Sequence, residues 1–375
     1  MICRSNHALD GYSCIKIKLF MSHITFLAQF PPPMHGLAKA VDTLFNSRLS
    51  SQIHFDKIDI NAGKILVPIW QILHSKTEMF YFTISQSKIG NLRDVFFLFL
   101  IRMKGKKCII HLHGGGFRSL MKRCGRLQHW LNVKAIKNVD TAIVLGNSLR
   151  NQFEGFIDPD KIVVVPNCID NEFVPTTVKD KIDKLYSCDC LNVIYLSNFI
   201  RTKGYREVLS VAKKMIEDGY GNRFCFHFAG LFFDEKEESY FRDISSSLSN
   251  VSYHGAVYGE EKKKLLEIGN IFMLLTTYPK EGQPISILES MGNAMLVITT
   301  DHAGIPDIVA ENNGLICDKS GVNIDMIASY LNQCWTDRNY LANICVSNYE
   351  KIVNDFTECK YIDKMEIVFK KNIEK

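Results

Sequence analysis

The chain has 375 residues, of which 46% are hydrophobic and 23% charged, and its formal net charge is +5. These proportions exclude a disordered or fibrous chain, and the length predicts two domains. Twelve cysteines are scattered from Cys3 to Cys359 without a CxxC pair, so neither a zinc finger nor a disulfide framework is indicated. Free thiols of this kind fit a reducing, cytoplasmic compartment.

The first twenty residues carry Arg4, Asp10, Lys16 and Lys18 and no clean apolar stretch leading to a cleavage site, so no secretory leader is read there. MSHITFLAQF at Met21 has the look of a natural start, and residues 1–20 are expected to be a disordered extension. From there, short apolar runs rich in β-branched and aromatic residues alternate with stretches of helical period. HITFLAQF (23–30), QIHFDKIDI (52–60), EMFYFTIS (78–85), KCIIHLH (107–113), TAIVLG (141–146) and KIVVVP (161–166) read as strands. GLAKAVDTLFNSRL and NLRDVFFLFLIRM read as helices between them. After Pro175 a polar stretch, TTVKDKIDK, reads as a linker, and the alternation restarts. Strands are predicted at 191–197, 223–230, 251–255, 271–277, 295–300 and 314–318. GYREVLSVAKKMIEDG is a strongly amphipathic helix with Val208, Leu209, Val211, Ala212 and Met215 on one side. A last helix, 357–375, is expected to pack back on the first domain.

Such alternation predicts an α/β fold of two doubly wound parallel-sheet domains, 21–178 and 179–356, with ligands at the carboxyl ends of the strands in a cleft between them. The longest apolar run, VFFLFLI (Val95–Ile101), is far short of the ~20 residues of a membrane span. Charge is uneven: ten basic residues and no acid lie between Arg102 and Lys137, and the +10 of this segment against a total of +5 leaves −5 for the remainder. Because Phe117, Leu120, Met121, Leu127, Trp130 and Leu131 are interleaved with those cations, segment 95–137 is expected to touch an anionic membrane surface. A solvated basic face is the alternative, and no nucleic-acid-binding module surrounds the basic residues.

Chemistry concentrates in TTYPKEGQPISILESMGNA. A strand ends there, Glu281 and Gly282 occupy a loop, and Pro284 sits where the first turn of a helix should begin. The amides of Ile285, Ser286 and Ile287 would form the positive end of that helix, an anion site, with Glu289 on its second turn. In YLSNFIRTKGYREVL, Asn198, Arg201 and Lys203 fall in a strand-to-helix loop whose cations suit a diphosphate. In the first half, FPPPMHG places Gly36 before a helix, and HLHGGG brings out His113 at a strand's carboxyl end while His111 turns into the sheet. Asp158-Pro159-Asp160 matches a metal-binding Asp-x-Asp by letter but reads as turn chemistry. No GxGxxG follows a strand and no GxxxxGK[ST] occurs, which excludes dehydrogenase and P-loop readings.

Together PPPMHG, HLHGGG, VVVPNCID, LSNFIRTKG, YHGAVYGEEK, the Glu281/Glu289 pair and AGIPDIV resemble, in order and spacing, the retaining nucleotide-sugar glycosyltransferases of glycosyltransferase family 4. The resemblance implies the GT-B fold and transfer of a sugar from a nucleotide-diphosphate sugar to a saccharide acceptor, without a metal or other cofactor. It assigns Lys203 to the diphosphate, Glu281 to the transferred sugar, Glu289 to the ribose and Val257 to the base. His113 would serve the sugar and acceptor side, and Gly36 would let the first loop close on the phosphates. Two positions depart: the family's Gly-Arg is Ser197-Asn198 here, with Arg201 as the compensating cation, and the aromatic after Glu-Gly is Gln283. The greasy basic segment adds a lipid-linked acceptor for a surface polysaccharide at the inner face of the cell membrane. A rival reading is a non-catalytic binding or scaffold subunit of a polysaccharide assembly complex; a third is an epimerase or phosphorylase.

Overall fold

The computed structural model describes residues 22–32, 36–60 and 65–374, so the extension expected over 1–20 lies outside the described residues. The chain divides into two compact units, one running to Asn167 and including Cys359–Lys375, the other Cys168–Glu358. Each is built on a six-stranded, wholly parallel sheet.

The first unit holds β1 (His23–Ala28), β2 (His54–Asp59), β3 (Met79–Thr83), β4 (Lys107–Leu112), β5 (Thr141–Val144) and β6 (Ile162–Val164), in the order β2-β1-β3-β4-β5-β6. All five residues of β3 are buried, as a parallel strand covered on both faces requires. On one face Phe26, Phe55 and Tyr81 meet Phe45 of helix Gly36–Phe45 and Phe369 of helix Glu358–Glu374. Fully burying a side chain such as Phe369 contributes about 1.5–3 kcal/mol. The terminal helix is further tied down by Arg48, which bridges Asp363 and Glu366, and by Lys107, whose Nζ donates to Asn372 O at 2.7 Å. On the opposite face Phe82 packs on Phe97 of helix Lys88–Met103, which lies beside helices Leu66–His74 and Arg126–Ile136.

This packing narrows the reading of segment 95–137. Val95, Phe97, Leu98, Leu100 and Ile101 are core residues, and so are Phe117, Leu120 and Met121. They pack under the sheet because their helices need one apolar face each, and they are unavailable to an external partner. Leu127 and Trp130 remain exposed.

The second unit holds β7 (Leu191–Leu196), β8 (Phe224–Ala229), β9 (Val251–Tyr253), β10 (Ile271–Leu274), β11 (Leu296–Thr300) and β12 (Gly314–Cys317), in the order β12-β11-β10-β7-β8-β9. Helix Tyr205–Glu217 buries Val208, Leu209, Val211, Ala212 and Met215, the side its periodicity selects. The expectation of free cysteines fails at one place: Cys190 and Cys225 are joined as a disulfide. Strand pairing brings them together, because Leu191 opposes Phe224 and Asn192 opposes Cys225. Thirty-five residues separate them in sequence, so their spacing carried no signal.

Candidate active site

In the second sheet the strand order reverses between β7 and β10, neighbours whose following connections leave in opposite directions. A doubly wound sheet opens a crevice at the carboxyl ends of such strands. The loop after β7 carries Asn198, Arg201 and Lys203, and the loop after β10 carries Glu281 and Gly282. Topology therefore unites two stretches nearly eighty residues apart.

Gly204 sits at the start of helix Tyr205–Glu217 with φ +82°, and a Cβ there would lie 2.2 Å from Leu275 O. Glycine is required twice over, for the left-handed backbone and for this close approach. The Thr277 amide donates to Thr202 O at 2.7 Å, which locks the two loops together. Lys203 is thereby aimed at Glu281: its Nζ lies 2.6 Å from Oε2, with side-chain exposures of 14% and 9%. Thr276 Oγ1 donates to the same carboxylate oxygen at 3.2 Å, and the ammonium stands 4.9 Å from the Tyr278 ring centroid.

Helix Ile285–Gly292 follows, with Pro284 as its N-cap rather than inside its first turn. The amide of Ile287 is engaged by Pro284 O at 3.1 Å, so it is not part of the anion site as expected. Ile285 and Ser286 keep the helix's first two amides, and both residues are half-buried. Glu289 lies one turn on, ~6 Å along the axis, and is buried. Its Oε1 accepts from Lys262 Nζ at 2.6 Å, while that ammonium also stands 4.3 Å from the Phe173 ring centroid. Burial pushes the Glu289 carboxyl above its ordinary range, Lys262 pulls it back, and the charges of Asp170 and Glu172 push it up further.

Gly282 O accepts from Gly304 N at 2.9 Å, which anchors the acidic loop to AGIPDIV. Val257 is half-buried against the core of this unit. Asn198 is occupied locally: its Oδ1 accepts from Leu231 N at 3.3 Å. Arg201 is turned to Glu207 of the following helix, at 2.8 Å, and is half exposed. Six residues of a 3₁₀ turn and a helix start bring that acid within reach, whereas Lys203 faces the other way, to β10.

In the first unit His113 follows β4 and is half-buried; its ring packs 3.8 Å from that of His111. His111 is fully buried, as its alternation predicted, and is bonded to Tyr81 OH through Nδ1 at 2.6 Å. Burial, then the neighbouring His113, holds His111 well below the ordinary imidazole range, so it is neutral. Gly36 opens helix Gly36–Phe45, and the three residues before it lie outside the described residues. Asp158 caps its own turn by accepting from Asp160 N at 3.1 Å, consistent with turn chemistry. Among the described residues, one trio of metal-ligating side chains falls together, His23, His54 and Asp56. It lies at the starts of β1 and β2, the end of the sheet opposite His113.

Sequence reasoning missed Lys262 and Phe173, which flank Glu289, and Tyr81, which supports the histidine pair. Lys262 stands in GEEKKK, a run indistinguishable from a solvated helix face until the fold turns one lysine inward.

Residues 189–351 match the family described as Glycosyl transferases group 1. A curated relative from Escherichia coli, UDP-Gal:alpha-D-GlcNAc-diphosphoundecaprenol alpha-1,3-galactosyltransferase, is 25% identical over 330 residues, 83% of this chain and 80% of that one. Among solved structures, a glycosyltransferase from Rickettsia africae superposes with a TM-score of 0.70 at 14% identity, covering 95% of this chain and 100% of its own. Anabaena HepE in complex with UDP-glucose does so with 0.70 at 13%, covering 92% and 99%. Sucrose-phosphate synthase from Thermosynechococcus elongatus reaches 0.75 at 11%, covering 94% and 99%. At these identities the structural matches establish the two-domain GT-B fold.

Proposed function

We propose that the chain is a glycosyl transferase of group 1, a retaining, metal-independent hexosyltransferase acting in surface-polysaccharide biosynthesis, a reading supported by the family match over residues 189–351 and by the Escherichia coli relative. Its donor is a uridine-diphosphate sugar and its acceptor a saccharide carried on a polyprenyl diphosphate at the inner face of the cell membrane. The observation that carries this reading is the Lys203–Glu281 pair at the strand-order reversal, beside the open amides of Ile285 and Ser286. The name of the Escherichia coli relative supports the choice of donor, acceptor and alpha linkage.

The chemistry required is cleavage of the bond between the sugar's anomeric carbon and a diphosphate oxygen. Positive charge develops on the ring and negative charge on the departing phosphate. Lys203 and the amides of Ile285 and Ser286 stabilise the phosphate, and one preorganised donor of this kind contributes about 3 kcal/mol. Glu281 orients the sugar hydroxyls, Glu289 the ribose, and Val257 borders the base. The acceptor hydroxyl forms its new bond on the face the diphosphate leaves, and its proton passes to the leaving phosphate oxygen. For the first unit the family resemblance alone assigns His113 to the acceptor side and Gly36 to phosphate closure.

Asn198 where the family has Arg, with Arg201 engaged by Glu207, favours a second reading, a binding subunit without turnover. One experiment separates the two. Purified protein is incubated with UDP-galactose, UDP-glucose or UDP-N-acetylgalactosamine and a polyprenyl-diphosphate GlcNAc analogue, with and without chelator. Expected are UDP release and an α-linked product by NMR, undiminished by the chelator. Nucleotide binding without product would establish the binding subunit; activity restored only by manganese would remove metal independence.

A further inference from the structure

Helix Lys88–Met103 buries one apolar face against β3 and displays another. Ile89, Leu92, Phe96, Phe99 and Met103 recur at intervals of three and four, on the side away from the sheet. Four of them are exposed, Ile89 by 85% and Met103 by 81%, and Phe99 is half-buried. The stripe runs ~21 Å along the helix. The helices packed on either side continue it. Leu66, Trp70 and Leu73, exposed by 75%, 62% and 46%, come from helix Leu66–His74; Leu127 and Trp130 come from helix Arg126–Ile136. Scattered exposed apolar residues are ordinary, but three adjacent helices carrying them on their outer sides are not.

Charge identifies what covers this surface. Across the three helices the sole carboxylate is Asp94, which is buried and bonded to Arg93 and to the Ser85 amide. Lys88, Arg102, Arg126 and Lys134 are exposed on the same helices, with Lys122 and Arg123 just before the third. A second copy of the chain would set these cations against their own equivalents in a two-fold contact, which is repulsive. An anionic bilayer meets both features, because its headgroups take the cations and its acyl boundary takes the stripe. No helix among the described residues is long and apolar enough to cross a membrane, so the contact is one of lying in the interface.

We infer that the outer face of helices 66–74, 88–103 and 126–136 docks onto an anionic lipid bilayer. This deepens the reading of a membrane-held acceptor, on which it rests for its purpose, and places the contact on the outward stripe rather than on the buried Val95, Phe97, Leu98, Leu100 and Ile101. The experiment is co-sedimentation with phosphatidylcholine vesicles, with and without 30% phosphatidylglycerol. It is paired with quenching of Trp70 and Trp130 by bromine-labelled acyl chains in a Trp335→Phe background. At least tenfold stronger partitioning onto the anionic vesicles is expected, with quenching of tryptophan emission. Leu92→Glu/Phe96→Glu should abolish both while leaving the thermal midpoint and turnover on a detergent-dispersed acceptor unchanged. Equal partitioning onto neutral vesicles, no quenching, or a dimer in light scattering that the same variant dissolves would overturn the inference. Failure to bind vesicles with intact turnover sinks the docking face alone; vesicle binding without any sugar transfer sinks the transferase reading alone.

Discussion

Lys203 Nζ lies 2.6 Å from Glu281 Oε2, joining the loop after β7 to the loop after β10 where the strand order of the sheet reverses. Both side chains are largely withdrawn from water, so each charge depends on the other for compensation. A donor diphosphate arriving at Lys203 would take over part of that compensation and leave Glu281 with freed acceptor capacity for sugar hydroxyls.

Lys203→Ala should therefore act twice. Turnover is expected to fall at least a hundredfold, about 3 kcal/mol of lost transition-state stabilisation. Stability should fall by about 3 kcal/mol as well, because Glu281 is left buried without its cation. Lys203→Ala/Glu281→Gln should recover much of the stability in urea titrations and none of the activity. Parent-like kcat in the single variant would remove Lys203 from the chemistry.

Burial pushes the Glu289 carboxyl up and Lys262 opposes that rise by favouring the ionised form. The folded carboxyl sits above its unfolded value, so its ionisation costs stability as the pH rises from the unfolded carboxylate range through the raised one. Lys262→Met should widen that window. Its stability deficit relative to the parent should grow as the pH rises above the ordinary carboxylate range, and UDP should bind more weakly by calorimetry at every pH. A deficit independent of pH would show that Lys262 contributes only through its contact with Phe173.

Gly204→Ala combines a left-handed φ with a Cβ 2.2 Å from the carbonyl oxygen of Leu275, a backbone atom that cannot swing aside. A loss of about 2 kcal/mol or more is expected. Lys203 moves with the backbone, so kcat should fall more than donor affinity. Parent-like thermal stability in this variant would mean that the two loops do not approach as described.

Lys181 is half-buried with its Nζ donating to Leu266 O at 2.9 Å and Asn293 O at 2.6 Å, and the burial of its amine brings its pKa down to about 7. The fold thus favours the neutral amine. The stability this confers is greatest above the unfolded lysine value and is lost as the pH falls from there toward about 7. Lys181→Met cannot take up the proton, so its urea midpoint should improve relative to the parent as the pH is lowered from about 10 to about 7. Parallel curves would show that the amine is solvated.

Most of the twelve strands were legible because parallel strands buried on both faces are written as short, nearly continuous apolar runs, and turn residues bound them; the edge strands β2 and β9 are the exceptions, largely exposed and partly polar. Helix Tyr205–Glu217 was legible from its 3.6-residue period. Lys203 and Glu281 stood out because loops at strand ends break the apolar pattern with charge, and Glu289 because it is the one charged residue of helix Ile285–Gly292. The Arg201–Glu207 pair was not legible because it depends on which way a short turn faces, and the engagement of the Ile287 amide was not because it rests on a local bond to Pro284 O. In segment 95–137 the composition was legible and the burial was not: two apolar faces share one helix, and sequence alone does not say which is buried.

What the amino-acid order determined unaided is the set of local elements and the residues placed at their ends, since propensity and periodicity act over a few residues. Which of those ends meet was decided only by the tertiary structure. Strand order sets Lys203 beside Glu281, Lys262 beside Glu289, Cys190 beside Cys225 and Tyr81 beside His111. Each of these pairs is separated by 27 to 78 residues, and no local interaction spans such a distance until a sheet has formed.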